Sequence, residues 1–200
     1  MLIPPLLGLV LAGGRSTRMG VDKGTLSYSQ TGEDQRTRCA SLLGMYCAEV
    51  FVSCRPEQAE TLAPELRPLV DLPSLGDIGP AAGLLTAHRA RPEASWLVLA
   101  VDFPLVDGPG LASLLSARDA CAWATCFVHE DGTPEPLLTL WEPAGLAALA
   151  NSPSGGARRA LEHGRSVRIR PPDRNMLLNV NSPADLARGN FPVRPALGTT

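Results

Sequence analysis

The stretch LLGLVLAGGRSTRMGVDK, residues Leu6 to Lys23, combines an apolar run with a glycine-rich turn. Its first seven residues, Leu6 to Ala12, are apolar or glycine and run directly into Gly13 and Gly14. A short continuous apolar run that ends in glycine is typical of a strand buried on both faces and followed by a tight turn. We therefore predict a central sheet strand over Leu6–Ala12.

The same stretch ends in an unusual residue. Of the 18 Lys and Arg residues in the chain, 17 are Arg, and Lys23 is the lone lysine. Lysine carries a compact ammonium on a flexible stem, whereas arginine is a planar fork, so the two differ in how they reach a phosphate cluster. This composition indicates a specific role for Lys23, and the alternative is a solvated loop residue present by chance.

Length and charge bound the class of protein. Two hundred residues with 44% hydrophobic content are enough for one domain, which we place over residues 1–190. The residues from Phe191 contain two prolines and little periodicity, so we expect 191–200 to be a flexible tail. A net charge of -2 argues against a broad nucleic-acid surface and favours a small-molecule partner.

Cysteine spacing and the apolar start suggest a compartment. The five cysteines form no CxxC pair and no zinc-type spacing with histidine, which favours free thiols in a reducing environment. The opening MLIPPLLGLVLAGG lacks a basic segment and is too short for a membrane span. We expect a cytoplasmic protein that has no membrane partner.

Apolar runs alternate with helix-compatible segments through the first half of the chain. This alternation predicts an α/β domain of three layers with a mainly parallel sheet covered on both faces. The predicted strands are Leu6–Ala12, Glu49–Cys54, Pro68–Asp71 and Trp96–Asp102, and the predicted helices are Arg38–Tyr46, Glu57–Ala63, Gly79–Ala90 and Pro109–Arg118.

The alternation weakens after Asp102. Residues 124–141 contain two strand-like runs around Asp131-Gly132, which predicts a hairpin, a mixed sheet and a small hairpin-containing subregion. The remaining predicted elements are helices over Glu142–Ala150, Ala157–Glu162 and Pro183–Arg188 and a strand over Ser166–Arg170.

Three of the predicted strands end in residues that suit a ligand. The first ends in the glycine turn, the third in Asp71 and the fourth in Asp102. In open parallel sheets, ligands bind at the carboxyl ends of the strands. We therefore expect these three ends to open on one side of the sheet.

The glycine turn itself is a candidate phosphate site. Glycines allow backbone N–H groups to approach a phosphate closely, and Arg15, Arg18 and Lys23 add three cations directly after a buried strand. The stretch is neither GxxxxGK[ST] nor GxGxxG, so it belongs to neither of those two phosphate-binding motifs. The alternative is a tight turn with no ligand.

Four segments then match a known family. LAGGRSTRMGVDK (Leu11–Lys23) resembles the LAGG-x-S-x-RMG-x-DK signature of nucleotidyltransferases typified by molybdenum cofactor guanylyltransferase. DIGPAAG (Asp77–Gly83), VDFP (Val101–Pro104) and NVNSPADL (Asn179–Leu186) resemble three further motifs of that family, in the same order. The resemblance therefore extends over nearly the whole chain.

The resemblance implies a Rossmann-like fold and the transfer of GMP from GTP to the terminal phosphate of molybdopterin, with release of pyrophosphate. Asp102 would bind both Mg²⁺ and nucleotide, and Arg15, Arg18 and Lys23 would hold the triphosphate. Position by position, the nucleotide site would comprise Leu11, Ala12, Gly13, Gly14, Lys23, Ser53, Asp71, Gly79, Pro80 and Asp102. Asn179 and Asn181 would lie on the molybdopterin side, and the hairpin-containing subregion would be the acceptor side of the domain.

The choice of base would depend mainly on Gly13. Cytidylyltransferase relatives usually have LAAG in place of LAGG, so the missing methyl group at Gly13 would leave room beside a purine. The GPAAG segment also favours the guanylyl branch. One departure is Ser53, which stands where the family has an asparagine, and its shorter side chain keeps a hydrogen bond but loses reach.

Several alternatives stay open on the sequence alone. The transferred nucleotide could be CMP, or the acceptor could be another phosphorylated small molecule such as cobinamide phosphate or a sugar phosphate. A nucleotide-binding module without catalysis is a third alternative. For the molybdopterin function, transient contact with cofactor-delivering or acceptor molybdoenzyme proteins is a further expectation. An arginine cluster made of Arg158, Arg159, Arg165, Arg168 and Arg170 is either a solvated face or a contact for the pterin phosphate.

Overall fold

A single mixed sheet of seven strands organises the domain in the computed structural model, which describes residues 3–14, 20–28, 32–76, 78–153, 156–182, 184–185 and 194–195. Helices cover the sheet, so the predicted α/β class with a mainly parallel sheet is confirmed. The strands in chain order are β1 (Leu6–Leu11), β2 (Leu26–Ser27), β3 (Val50–Cys54), β4 (Arg67–Val70), β5 (Ser95–Ala100), β6 (Ala124–Val128), β7 (Pro134–Trp141), β8 (Ser166–Ile169) and β9 (Arg194–Pro195).

The sheet order is β4-β3-β1-β5-β7-β6-β8, with β1 near its centre. β1 pairs in parallel with β3 on one side and with β5 on the other. Leu9 and Val10 of β1 are fully buried, as expected for a strand covered on both faces. The strand order reverses direction between β1 and β5, and such a switch point leaves a crevice at the carboxyl ends of the two strands.

The predicted hairpin is confirmed, and its two strands lie inside the main sheet. β7 pairs antiparallel with both β5 and β6, and β6 pairs in parallel with β8. Gly132 supports the connecting turn with a φ of 83°, in the left-handed region that favours glycine. The carboxyl ends of β6 and β8 consequently lie at the same edge of the sheet as those of β1 and β5.

Helices cover both faces of the sheet. Right-handed crossovers run outward from β1 through β3 to β4 and then back to β5, and this reversal places α1 and α3 on opposite faces. Asp34 caps α1 by accepting from Thr37 N at 2.8 Å, so this helix begins one turn earlier than predicted. The helices are α1 (Gln35–Gly44), α2 (Pro56–Ala59), α3 (Ala81–Ala90), α4 (Gly108–Ser116), α5 (Pro143–Asn151) and α6 (Gly156–His163), with short 3-10 helices at Lys23–Thr25, Pro73–Leu75 and Arg174–Leu177.

A buried polar network closes the amino edge of the sheet, opposite the carboxyl ends of β1 and β5. Arg118 Nε donates to Glu142 Oε1 at 2.7 Å and Arg118 Nη2 donates to Ser95 Oγ at 2.8 Å. Glu142 and Ser95 are fully buried, and Trp96 beside them pairs in register with Trp141 across β5 and β7. A buried carboxylate requires such partners, so the network ties α5 to β5.

The last part of the chain is only partly described. Of the predicted helix over Pro183–Arg188, residues 184–185 are helical. The other residues of that predicted helix lie outside the described residues. Within the expected tail, Arg194–Pro195 form β9, which pairs antiparallel with β2, and 191–193 and 196–200 also lie outside the described residues. Among the described helices, none has the length and apolar character required to cross a membrane.

Candidate functional site

A cleft of about 640 Å³ opens at the carboxyl ends of β1, β3, β4 and β5. The expectation that the glycine turn, Asp71 and Asp102 share one side of the sheet is therefore confirmed. Ten of the residues that the sequence predicts for nucleotide binding line this cleft: Leu11, Ala12, Gly13, Gly14, Lys23, Ser53, Asp71, Gly79, Pro80 and Asp102.

Lys23 and Asp102 form an ion pair in this cleft, with 2.6 Å between Lys23 Nζ and Asp102 Oδ1. Lys23 Nζ also donates to Asn181 Oδ1 at 2.9 Å and to the carbonyl of Val180 at 3.4 Å. Lys23 is only 8% exposed, so its charge needs these partners. The Lys23 ammonium thus contacts both Asp102, just beyond the end of β5, and Asn181. These two residues lie far apart in the sequence.

The main chain strengthens the same connection. Val180 N donates to the carbonyl oxygen of Asp102 at 2.9 Å. Asn179, beside Val180, has a buried Oδ1 that accepts no hydrogen bond from the residues that the structure describes. Asn181 therefore contacts the predicted phosphate-binding lysine directly, and Asn179 keeps an unused acceptor next to it.

Two side chains at the start of α2 donate hydrogen bonds to the glycine turn. Arg55 Nη1 donates to the carbonyl oxygens of Gly13 and Gly14, at 2.8 and 2.7 Å. Gln58 Nε2 donates to the carbonyl of Ala12 at 3.1 Å and to Asp22 Oδ2 at 2.7 Å. Three successive carbonyls are therefore fixed, together with the residue that precedes Lys23.

Arg55 and Gln58 are not among the site residues predicted from the sequence. In the sequence, the run RPEQ follows the second predicted strand directly, and a proline at this position is typical of a helix start. In the structure, Gln58 Oε1 accepts a hydrogen bond from Arg55 N at 2.9 Å, as in a capping box. That pattern predicts a helix start. It does not show that the two side chains reach the turn after β1, because this contact depends on the pairing of β1 with β3.

Ser53 and Asp71 form a second pair on the opposite wall. Ser53 Oγ donates to Asp71 Oδ1 at 2.7 Å. A Cβ atom at Gly13 would lie 2.7 Å from Asp71 Oδ2, and one at Gly83 would lie 2.4 Å from Ser53 Oγ. Both distances are below van der Waals contact, so the absence of side chains at the two glycines provides the space that this hydroxyl-carboxylate pair occupies.

The Asp71 carboxyl is also electrostatically unusual. Burial raises its pKa, and the hydrogen bond from Ser53 and the positive charge of Arg55 oppose that rise. The prediction about Ser53 holds in part, since the shorter side chain keeps a hydrogen bond, and its partner is Asp71. Ser53 therefore affects the cleft by orienting the carboxylate of Asp71.

Asp102 is the acidic side chain at the end of β5, at the position expected for a metal ligand. No group of three or more His, Cys, Asp or Glu residues suited to a metal occurs in the described part of the chain. Mg²⁺ binds through one or two carboxylates together with substrate phosphates. A single carboxylate that lines a cleft beside a lysine and a glycine turn fits an ion that is bound together with a nucleotide.

Some predicted residues lie elsewhere. Arg15 and Arg18 lie outside the described residues, so their roles stay predictions. The arginine cluster is divided: Arg165 pairs with Asp119 at 3.2 Å, and Arg168 donates to the carbonyl of Leu161 at 2.8 Å. These two arginines make local contacts, and all five members of the cluster are exposed.

The chain is similar to proteins of known family. The model of the MobA-like NTP transferase domain matches residues 8–169. A molybdenum cofactor guanylyltransferase from Cereibacter sphaeroides is 36% identical over 94% of this chain and 97% of its own length. A molybdenum cofactor biosynthesis bifunctional protein from Synechocystis is 33% identical over 93% of this chain, and the chain spans 54% of that protein.

A solved structure supports the same assignment. Molybdopterin-guanine dinucleotide biosynthesis protein A from Archaeoglobus fulgidus superimposes with a TM-score of 0.73 at 26% identity, over 91% of this chain and 95% of that protein. The resemblance found in the sequence motifs is thus confirmed by whole-length similarity. The chain belongs to the family of MobA-like NTP transferase domains and is a nucleotidyltransferase of molybdenum cofactor biosynthesis.

Proposed function

We propose that this protein is a magnesium-dependent guanylyltransferase that transfers GMP from GTP to the terminal phosphate of molybdopterin. A phosphate oxygen of the acceptor forms a bond to the α-phosphorus of GTP, and the bond from that phosphorus to the β-phosphate oxygen breaks, so pyrophosphate leaves. The observation that carries the proposal is the meeting of Lys23 and Asp102, at 2.6 Å, in the cleft that contains the glycine turn.

The phosphates would bind at the glycine turn. Arg55 and Gln58 donate hydrogen bonds to the carbonyl groups of Ala12, Gly13 and Gly14, which keeps this segment in one conformation. A turn fixed in this way loses little conformational freedom when a ligand binds. Lys23 supplies the positive charge, and it would exchange one of its protein acceptors for a phosphate oxygen.

Asp102 would hold the magnesium ion, which when bound offsets negative charge on the phosphates. An acceptor phosphate is already ionised near neutral pH, so no side chain is required as a general base. The protein would orient the acceptor phosphate in line with the α-phosphate of GTP, and its positive groups would stabilise the negative charge of both. Orientation and electrostatic stabilisation are the main contributions to phosphoryl-type transfer.

Guanine would be selected at the wall formed by Gly13, Ser53 and Asp71. Guanine presents two adjacent N–H donor groups at N1 and N2, and a carboxylate oriented by Ser53 offers acceptors for them. Alanine at Gly13 would displace the Asp71 carboxylate, since its Cβ would lie 2.7 Å from Oδ2. Gly13 thus favours guanine through the position of Asp71 as well as through space beside the base.

A competition assay tests the proposal. The four nucleoside triphosphates are incubated in turn with enzyme, Mg²⁺ and molybdopterin, and pyrophosphate release is measured. We expect GTP to be preferred and release to depend on both the metal and molybdopterin. Preference for CTP would overturn the guanylyl assignment, and transfer only to other phosphorylated acceptors would overturn the choice of molybdopterin.

A further inference from the structure

The backbone that carries Lys23 is fixed on one side by Asp22. Asp22 Oδ1 accepts from Gly24 N at 2.9 Å, and the main-chain oxygen of Asp22 accepts from Thr25 N at 3.1 Å and from Thr25 Oγ1 at 2.8 Å. The other carboxylate oxygen, Oδ2, accepts from Gln58 Nε2 at 2.7 Å. These bonds hold the short 3-10 helix in which Lys23 is the first residue.

On the other side, the same backbone packs against α1. A Cβ atom at Gly24 would lie 2.8 Å from both Cγ and Cδ of Arg36, which is below van der Waals contact. The aliphatic stem of Arg36 therefore takes the place that a side chain at residue 24 would need, directly beside Lys23. The contact is made by carbon atoms, so it does not depend on the charge of the arginine.

Arg36 is unusually buried for an arginine, since only 4% of its surface is exposed. Its Nε and Nη2 donate to Asp34 Oδ2 at 3.3 and 3.0 Å, and Asp34 Oδ1 accepts from Thr37 N at 2.8 Å. The guanidinium is therefore tied to the first turn of its own helix. With its far end fixed there, the stem has little freedom to move away from Gly24.

The polar contacts of Arg36 do not by themselves account for its burial. Its Nη1 is buried and has no hydrogen-bond partner among the residues that the structure describes. A buried ion pair with an unused donor contributes little net stability, and an apolar side chain of similar volume is often at least as stable. What the arginine supplies here is a long stem, anchored at its far end, against the backbone that carries Lys23.

The guanidinium of Arg36 also lies near the end of β3. Burial raises the pKa of the Cys54 thiol, the charge of Asp71 adds to that rise, and the positive charge of Arg36 opposes it. The residue after Cys54 is Arg55, which donates to the carbonyl of Gly13 at 2.8 Å. Arg36 is thus close both to the lysine-bearing backbone and to the strand end that supports the glycine turn.

We propose that Arg36 is a positioning residue for Lys23 and acts through the backbone of Gly24. This inference rests on the proposed function and adds a residue that does not line the cleft. Its stem keeps the main chain in place, so that the Lys23 ammonium stays beside Asp102, at 2.6 Å, where the phosphates would bind. A misplacement of about 1 Å by a distant substitution can cost about a hundredfold in rate, so such a contact is large enough to matter.

The first test measures GTP affinity by isothermal titration in the presence of Mg²⁺. Arg36→Ala removes the stem and should weaken GTP binding about tenfold. Arg36→Met keeps the stem as far as the δ position and removes the charge, so its affinity should stay within about twofold of wild type. Arg91→Ala removes an exposed arginine just after α3 and is the matched control, with unchanged affinity. Equal losses in Arg36→Met and Arg36→Ala would overturn the inference.

The space at Gly24 provides a second test. Gly24→Ala places a methyl group against the Arg36 stem, so this variant should also weaken GTP binding. In the double variant Gly24→Ala/Arg36→Ala, the methyl group enters the space that the stem has left. The double variant should therefore bind GTP more tightly than either single variant, because residues in contact are not additive. Losses that simply add would contradict the proposed contact.

A change of background separates positioning from general stability. In Lys23→Ala the ammonium is absent, so adding Arg36→Ala should cause no further loss of GTP affinity, in titrations carried to millimolar GTP. A residue that acts only on the fold would cause the same additional loss in both backgrounds, and that result would overturn the inference. If these couplings hold but the wild-type protein does not transfer GMP to molybdopterin, the proposed function alone is overturned.

Discussion

The two halves of the sheet edge hold their polar groups by different means. In the half formed by β1, β3, β4 and β5, backbone carbonyls and side chains are held by internal hydrogen bonds and buried pairs, such as Lys23 with Asp102 at 2.6 Å. In the half formed by β6 and β8, the charged groups are exposed, as in the pair of Arg174 and Glu130 at 3.1 Å, where both side chains are more than three-quarters exposed. The first half is preorganised, whereas the second has few fixed polar contacts.

This difference has an energetic basis. A buried charge that loses its partner costs several kcal/mol, so the nucleotide half tolerates few substitutions. Exposed ion pairs contribute about 0–1 kcal/mol, so the second half can change its side chains at little cost to stability.

The largest expected effect tests the preorganised half at its centre. Asp102→Asn removes the charge that pairs with Lys23 and the proposed magnesium ligand, so turnover should fall by roughly a hundredfold to a thousandfold. Pyrophosphate release measured across a range of Mg²⁺ concentrations checks this. Weak nucleotide binding without metal should remain.

Asp107→Asn is the matched control for that change. Asp107 caps α4 by accepting from Gly110 N at 2.9 Å, five residues from Asp102, and it contributes nothing to the cleft. We expect this variant to cost at most about 1 kcal/mol of stability and to turn over normally. Normal magnesium-dependent turnover in Asp102→Asn would show that the metal role is wrong.

The next effect concerns the support of the glycine turn. Arg55→Ala releases the carbonyls of Gly13 and Gly14. Since a hydrogen bond from a charged group contributes about 1.5–3 kcal/mol, the KM for GTP should rise roughly tenfold to a hundredfold. Steady-state kinetics with GTP as the varied substrate measures this.

Arg67→Ala provides the comparison for Arg55. Arg67 lies on the neighbouring strand β4, and its guanidinium pairs with Glu49 at the surface. Loss of an exposed pair should leave the kinetics of GTP unchanged. Equal kinetics in the two variants would mean that the turn holds its shape without Arg55.

A smaller effect is expected for the choice of base. Gly13→Ala forces the Asp71 carboxylate to move, so the preference for GTP over CTP should fall by about tenfold. The ratio of kcat/KM for the two nucleotides measures the change. Gly14→Ala is the control for crowding by the protein, because a Cβ there meets no atom within 4 Å. An unchanged ratio in Gly13→Ala would exclude Asp71 as the link between the turn and the base.

The contrast between the two halves also explains what could be predicted from the sequence. β1, the glycine turn, Asp71 and Asp102 belong to short segments in which periodicity and turn residues act locally, and the prediction that they share one edge is confirmed. The parallel pairing of strands joined by short connections follows from general rules of handedness. The order of the first four sheet strands therefore requires little information from distant residues.

Other features depend on contacts between distant segments. The sequence predicts the hairpin, but its insertion beside β5 depends on the register that pairs Trp96 with Trp141. Arg55 reaches Gly14 across 41 residues, and Lys23 reaches Asn181 across 158. No local pattern encodes such a contact, because it exists only after the strands have paired. A cleft of about 1210 Å³ between the β6-β7 turn and the segment after β8 has no local signal for the same reason, since its wall joins two distant parts of the chain.

The smallest predicted effect is on stability and depends on pH. Burial raises the pKa of Asp71 above its usual value of 3.8, so the folded state binds the proton more tightly than the unfolded chain does. As pH rises from 3.8 through the folded pKa, Asp71 loses its proton in the unfolded chain before it does so in the folded protein. The free energy of unfolding therefore decreases as pH rises through this range. Asp71→Asn carries no charge, so it should raise the melting temperature near neutral pH and should have little effect near pH 3. Melting curves of the two proteins across this range give the difference. A variant less stable than wild type at neutral pH would show that the hydrogen bond from Ser53 and the charge of Arg55 outweigh the cost of burial, and the carboxylate would then stabilise the nucleotide half as well as serve its function.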